Sequence, residues 1–174
     1  FSCLDCDRCR NDMPQKCRHL KKFGHEYVFE GGPLFGGFSD TVLLPSKAAI
    51  FKIRSDIVPE VICPANCATA TVMASMQSAG KVQNKKVLII GAGMLGLTAG
   101  AYCDSKNARE IVFLDQNQKR IELAKSFGAT KIGNSFINCI DAEDNGVFDL
   151  IFDFAGSAQL IQQAIDSLAV GGKL

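Results

Sequence analysis

The sequence predicts an α/β protein whose main body is a doubly wound parallel sheet, preceded by a smaller metal-organised lobe. Three observations predict it. Lys86-Val87-Leu88-Ile89-Ile90 is an apolar, mostly branched run of the kind that forms a strand buried on both faces. It runs directly into Gly91-Ala92-Gly93-Met94-Leu95-Gly96, a G-x-G-x-x-G followed by the helix formers of Leu97 to Lys106. Beyond it, apolar runs at Ile111–Leu114 and Val147–Phe154 alternate with helical stretches, as repeated strand-helix units require.

The glycines sit where a strand turns into a helix, and each has a task there. Gly91 permits the tight turn, Gly93 lets backbone approach a pyrophosphate, and Gly96 lets helix and strand pack closely. The helix N-terminus, at Met94 and Leu95, offers unpaired N–H groups and the positive end of a dipole to phosphate. Alone the motif is weak, but here it has a partner. Asp115 closes the strand Ile111–Leu114, about twenty residues past the turn, where a carboxylate accepts hydrogen bonds from ribose hydroxyls. A carboxylate there also repels a 2′-phosphate, so the reading is NAD ahead of NADP. The competing reading is a flavin or S-adenosylmethionine site on the same fold.

Length suits one domain of ordinary size, or one domain and part of another. The formal net charge of +1 gives no reason to expect nucleic acid or an anionic membrane as partner. Arg18, Lys21 and Lys22 make a small basic cluster, read as a solvated face. No apolar run reaches transmembrane length. The polar, cysteine-rich start does not resemble a signal peptide. The sequence opens at Phe1 inside a metal-ligand motif and stops at Gly171-Gly172-Lys173-Leu174, where a further strand is expected to begin; the expectation is a middle portion of a longer protein.

Eight cysteines beside this cofactor motif argue for metal rather than disulfides, and for a cytoplasmic protein. Cys3, Cys6, Cys9 and Cys17 give C-x2-C-x2-C-x7-C, a set that can close a tetrahedral Zn²⁺ site with no open position. Such a site is structural, supplying folding energy to a lobe with little apolar core. An iron–sulfur cluster fits less well, because the spacing differs from C-x2-C-x2-C-x3-C-P. A nucleic-acid ribbon lacks its basic and aromatic neighbours here. In Gly24-His25-Glu26, the His is read as a loop or strand residue rather than a ligand.

Gly31-Gly32-Pro33 and Gly36-Gly37 mark loops, and Phe38–Leu44 and Ala48–Ile53 are expected as short strands. Ala65–Met76 is expected as a helix of small residues headed by Cys67, where a helix N-terminus eases thiol ionisation. The alternative for Cys67 is a buried structural thiol. Gln118–Phe127 is expected as a helix, Gly128–Ile132 as the third strand, Val147–Phe154 as the fourth, Ala158–Leu168 as a helix and Gly171-Gly172 as a turn. Ligands of such a sheet bind beyond the carboxyl ends of its strands, where Asp115, Phe154 and Gly156 lie.

In this order, the four-cysteine lobe, Gly36-Gly37-Phe38-Ser39-Asp40, the cysteine-headed helix and the glycine turn with its acid resemble the zinc-dependent medium-chain alcohol dehydrogenases. The resemblance covers essentially the whole chain. Pro64–Val72 and Gly91–Ala99 look like a subgroup associated with phosphonate catabolism. The resemblance implies a partial GroES-like β catalytic domain over residues 1–62, carrying the zinc lobe, and a Rossmann domain over 63–174. It implies that Cys67 is one protein ligand of a catalytic zinc and that Thr71 packs near the nicotinamide. It places Arg120 beside the adenosine ribose, with Phe154, Ala155 and Gly156 along the cofactor. The activity implied is hydride transfer from a small-molecule alcohol to NAD, giving an aldehyde or ketone, in a homodimer or homotetramer. The family's other catalytic zinc ligands precede the lobe, so His25 and Glu26, which follow it, do not inherit that role. Two other functions compete: a zinc-free NADPH-dependent reductase of the same superfamily, and a non-catalytic module binding zinc and a nucleotide.

Overall fold

The computed structural model describes residues 1–22, 24, 25, 36–44, 46, 48–140 and 147–174. Glu26 and Gly31-Gly32-Pro33, singled out above, lie outside the described residues. The chain forms two compact units, Phe1–Asp56 and Ile57–Leu174.

The first unit is organised at its start. A single helical turn, α1 (Asp7–Arg10), is followed by a 3₁₀ turn at Pro14–Lys16. Arg18 grips the carboxylate of Asp7 with two hydrogen bonds of 2.6 and 2.8 Å, and the Ser2 hydroxyl donates to the Pro14 carbonyl at 2.9 Å. Phe38–Leu44 and Ala48–Ile53 are not strands among the described residues. A strand needs a hydrogen-bonded neighbour, and no backbone ladder reaches either segment among the described residues.

The second unit opens with a helical turn, α2 (Pro59–Ile62), then one π-helical turn over Ala65–Thr69 that leads into α3 (Ala70–Ala79). The sheet follows: β1 (Lys86–Ile90), α4 (Met94–Ser105), β2 (Glu110–Leu114), α5 (Gln118–Ala124), β3 (Lys131–Gly133), α6 (Phe136–Cys139), β4 (Phe148–Asp153), α7 (Ala158–Asp166) and β5 (Leu168–Lys173). Strand order is β3-β2-β1-β4-β5 and every pairing is parallel. The order reverses between β1 and β4, so the crevice at their carboxyl ends is the place for a ligand.

β1 is buried on both faces, and its period of two sorts its side chains. Val87 and Ile89, with Phe113 and Phe152 of the flanking strands, pack under α3 and α4 through Val72, Met76, Ala99 and Cys103. Leu88 and Ile90, with Val112, Leu114 and Ile151, face α6 and α7 through Phe136, Cys139 and Ala164. Burial lifts the Cys103 thiol to about 12 and that of Cys139 to about 11, so both behave as apolar filling.

Several boundaries differ from expectation: the helix expected over Ala65–Met76 starts as a π-helical turn and runs to Ala79, and the one expected over Gln118–Phe127 is α-helical only to Ala124. The third strand is Lys131–Gly133, because Thr130 turns its hydroxyl to the Ile111 N–H and so caps the ladder. The last helix stops at Asp166, and Leu168 already pairs with Phe148. Gly171-Gly172 lies inside β5 rather than in a turn between elements. Leu168 pairs with Phe148 and Lys173 with Leu150, so the residues between them bulge, with Gly171 at φ +77°.

At the amino ends of the strands, Asp149 accepts the Lys86 N–H at 2.8 Å and the Lys85 ammonium at 3.0 Å. Burial pushes its carboxyl up, but these two donors outweigh burial and hold it below the ordinary carboxylate range. A depressed folded value favours folding above the unfolded range of about 4 and loses that contribution as pH falls through it. The urea midpoint is therefore expected to drop below about pH 4, and to drop less in Asp149→Asn. Gly100 marks a close crossing of α4 and the sheet: a Cβ there would meet Phe113 Cζ at 2.6 Å and the Phe127 carbonyl at 2.7 Å. Gly100→Ala is expected to cost about 1–3 kcal/mol in urea unfolding, with the denaturant slope unchanged.

Candidate functional site

The four predicted lobe cysteines converge. Their sulfurs all lie within 4.8 Å of one another. Cys6 and Cys9 are 3.5 Å apart, Cys17 and Cys3 also 3.5 Å, and Cys6 and Cys17 4.0 Å. Zn–S bonds of about 2.3 Å in a tetrahedron set sulfurs about 3.8 Å apart, so this spacing suits one zinc ion with no ligand position left open. The chain around the sulfurs points N–H groups at them. Asp5 and Cys6 donate to the Cys3 sulfur at 3.4 and 3.3 Å, and Cys3 and His19 donate to the Cys17 sulfur, each at 3.3 Å.

Such donors stabilise thiolate. The backbone N–H of Arg18, then that of Cys9, draws Cys6 down to about 6. The Cys3 N–H lowers Cys17. Burial, then the neighbouring Cys6 and Cys17 thiols, pushes Cys9 up to about 12, since another anion among sulfurs this close requires a cation. Leu4, between the first two ligands, sits at φ +61°. A leucine there costs about 1–2 kcal/mol, and it is held where the two N–H groups after it meet the Cys3 sulfur. Leucine carries no turn signal, so this position was not legible beforehand.

The second site lies in the unit Ile57–Leu174. A cleft of about 450 Å³ is lined by Gly91, Gly93, Asp115, Gln116, Arg120, Asn134, Phe154, Ala155 and Ser157 together with Ile90, Leu114 and Leu160. The turn at Gly91 and the close packing at Gly96 are as the spacing implied, and Gly93 faces open space. Gly91 takes φ +98°, and a Cβ on it would press on Phe154 and Ala155 at 3.3 Å. A Cβ on Gly96 would lie 1.8 Å from the Gly91 carbonyl oxygen, so only glycine allows α4 this close to the turn. A Cβ on Gly93 would meet nothing within 4 Å. That open cradle precedes α4, whose first N–H groups have no intrahelical acceptor and whose cap, Gly93, gives no side-chain bond.

Asp115 ends β2 at the cleft wall. Its Oδ2 accepts the Ala92 N–H and its Oδ1 the Asn117 N–H, both at 2.7 Å. Asn117 then caps α5, accepting from Lys119 and Arg120 at 3.0 and 3.2 Å. After β4, Asp153 Oδ1 accepts the N–H groups of Ala155 and Gly156 at 2.9 and 3.1 Å and shapes the Phe154–Gly156 turn. Sequence reading missed Asn117 and Asp153. The signal was there, since both begin tight turns as Asn and Asp commonly do.

Of the predicted cofactor residues, Gly91, Gly93, Asp115, Arg120, Phe154 and Ala155 line the cleft. Met94 and Leu95 open α4 beside it, Gly96 is buried beneath it, and Gly156 follows its wall. Thr71 is exposed on α3 and is not part of the lining. Cys67 is exposed on the π-helical turn, and among the described residues it joins no group of three metal donors. His25 donates its backbone N–H to the Lys22 carbonyl at 3.2 Å, a local turn.

A parallel sheet with a glycine turn and an acid at its switch point, on a chain with a four-thiol metal lobe, defines a dinucleotide-fold protein of the zinc-binding class. The comparisons agree. Residues 95–174 match the family described as zinc-binding dehydrogenase. An L-threonine 3-dehydrogenase of Shewanella loihica is 30% identical over 182 residues, covering 100% of this chain and 50% of that protein. An alcohol dehydrogenase from a Thermus species superposes with TM-score 0.81 at 25% identity, over 99% of this chain and 52% of that one. An E. coli enzyme described as a short chain alcohol dehydrogenase complexed with the cofactor NADH superposes with TM-score 0.74 at 25% identity, over 99% and 50% of the two chains. The chain is thus similar to zinc-binding dehydrogenases in sequence over residues 95–174 and in fold along its length, and it spans about half the length of the relatives it matches.

If the lobe holds zinc as its geometry allows, the purified chain carries one zinc ion. Cys9→Ser is expected to lose most of that zinc in elemental analysis and to lower the melting temperature of the lobe. Full zinc content and an unchanged melt in the variant would rule the site out.

Proposed function

We propose that the chain is the cofactor-binding portion, together with the structural zinc lobe, of an oxidoreductase that takes a hydride from an alcohol carbon onto NAD and leaves an aldehyde or ketone. The observation that carries the reading is Asp115 on the wall of the cleft, hydrogen-bonded to Ala92 beside the open cradle at Gly93. The relatives named for threonine and for alcohols, and the one described with NADH, support a nicotinamide dinucleotide and an alcohol. The choice of NAD over NADP rests on Asp115 alone.

The chain's own residues bind and orient. The N–H groups at Met94 and Leu95 face the pyrophosphate across Gly93. Each Asp115 oxygen accepts one N–H and keeps lone pairs for ribose hydroxyls, while its charge opposes a 2′-phosphate. Arg120 flanks the same ribose, Phe154, Ala155 and Gly156 form the wall along the dinucleotide, and Thr71 is assigned to the nicotinamide side. A nicotinamide supplies the hydride acceptor when bound. In the lobe, Cys3, Cys6, Cys9 and Cys17 would hold the structural zinc. A catalytic zinc takes three protein ligands. Cys67 would be one of them, and among the described residues it stands apart from any set of three donors.

Calorimetric titration of the chain tests the reading. NAD is expected to bind at least about tenfold more tightly than NADP, the size of effect a charge facing a phosphate produces. Tighter binding of NADP would overturn the assignment of Asp115, and binding of neither would overturn the dinucleotide site.

A further inference from the structure

Both oxygens of Asp115 are engaged by the main chain before any nucleotide arrives. Oδ1 takes the N–H of Asn117, two residues on, a local turn contact. Oδ2 reaches across to another element and takes the N–H of Ala92, 2.7 Å away, in the middle of the glycine turn. Ala92 is 1% exposed. It lies past the end of β1 at Ile90 and before the start of α4 at Met94, so neither the sheet ladder nor the helix offers its N–H an acceptor. A buried N–H left unmade is expensive. The residue before it, Gly91, donates its own N–H to the Leu114 carbonyl at 2.7 Å. Two consecutive N–H groups of the turn are thus fastened to the end of β2, one by backbone and one by a side chain. The second fastening alone depends on which residue stands at position 115.

We infer that Asp115 is a positioning residue for the phosphate-binding turn as well as the reader of the ribose. Its carboxylate fixes the Ala92 amide, and through it the left-handed Gly91 and the first turn of α4, whether or not a ribose is present. The inference rests on the dinucleotide reading above and deepens it. Cofactor preference and turn geometry share one carboxylate, so removing Asp115 to admit a 2′-phosphate loosens the grip on the pyrophosphate of every dinucleotide.

The test separates the two roles with ligands. ADP carries both the pyrophosphate and the ribose hydroxyls, while 2′,3′-dideoxy-ADP keeps the pyrophosphate and lacks the hydroxyls. Both are titrated calorimetrically into the wild-type chain, Asp115→Ala and Asp115→Asn. If Asp115 positions the turn, Asp115→Ala weakens 2′,3′-dideoxy-ADP by about tenfold or more, and Asp115→Asn, which retains one acceptor oxygen, recovers most of the loss. If 2′,3′-dideoxy-ADP binds Asp115→Ala within about twofold of wild type while ADP weakens, the carboxylate reads only the ribose and the inference is overturned. Binding of neither compound by the wild type overturns the nucleotide reading and the inference with it. Hydrogen exchange on the unliganded chain decides the matter even where Asp115→Ala fails to fold. The Ala92 amide is expected to be protected in the wild type, and Asp115→Asn is expected to speed exchange at Ala92 or Asn117, because its one oxygen accepts from one of the two amides and its NH2 faces the other. A wild-type Ala92 amide exchanging as fast as an open loop amide would overturn the inference.

Discussion

The approach of α4 to the end of β1 is the constraint on which the second unit depends. Gly96 lies so near the Gly91 carbonyl that no side chain fits between them. That contact sets the height of the helix above the sheet and so the depth of the crevice where the strand order reverses. It also aims the first N–H groups of the helix across the Gly93 cradle. Everything below the contact is dry: β1 is buried along its whole length, and helices cover it on both faces. A fully buried strand beneath a close-packed glycine turn restricts that turn, and a single conformation is what an anion site made of backbone amides requires.

The second unit was readable because its signals are local and mutually consistent. An apolar run such as Lys86–Ile90 has no stable place except between two helical layers, and the glycine spacing says where it ends. The lobe was readable because four cysteines at that spacing have few alternative uses. The misreadings have physical causes. Phe38–Leu44 and Ala48–Ile53 carry β-forming residues, yet a strand exists only by pairing, and composition is silent about the partner. Gly171-Gly172 reads as a turn because glycine frees the backbone, and the freedom is spent instead on a bulge inside β5. The roles of Asn117 and Asp153 were obscured because turn-forming side chains are common and most of them bound no site.

The two candidate sites use backbone amides in opposite ways. In the lobe, four N–H groups converge on two sulfurs and lower the cost of holding thiolates together. In the cleft, the amides at the head of α4 are left free for an anion from outside. The cysteines not assigned to a site differ again. Cys103 and Cys139 are sealed in the core with thiols pushed far above neutral, whereas Cys63 and Cys67 are exposed on the approach to α3.

The left-handed Leu4 would couple the shape of the lobe to a metal held by its cysteines. A branched residue holds that conformation only while something stronger compels it, and here the two N–H groups after it meet the Cys3 sulfur, so an ion on the four sulfurs would hold Leu4 as well. Binding linkage then makes the stability of the lobe a function of free zinc concentration, each tenfold rise above the dissociation constant adding about 1.4 kcal/mol.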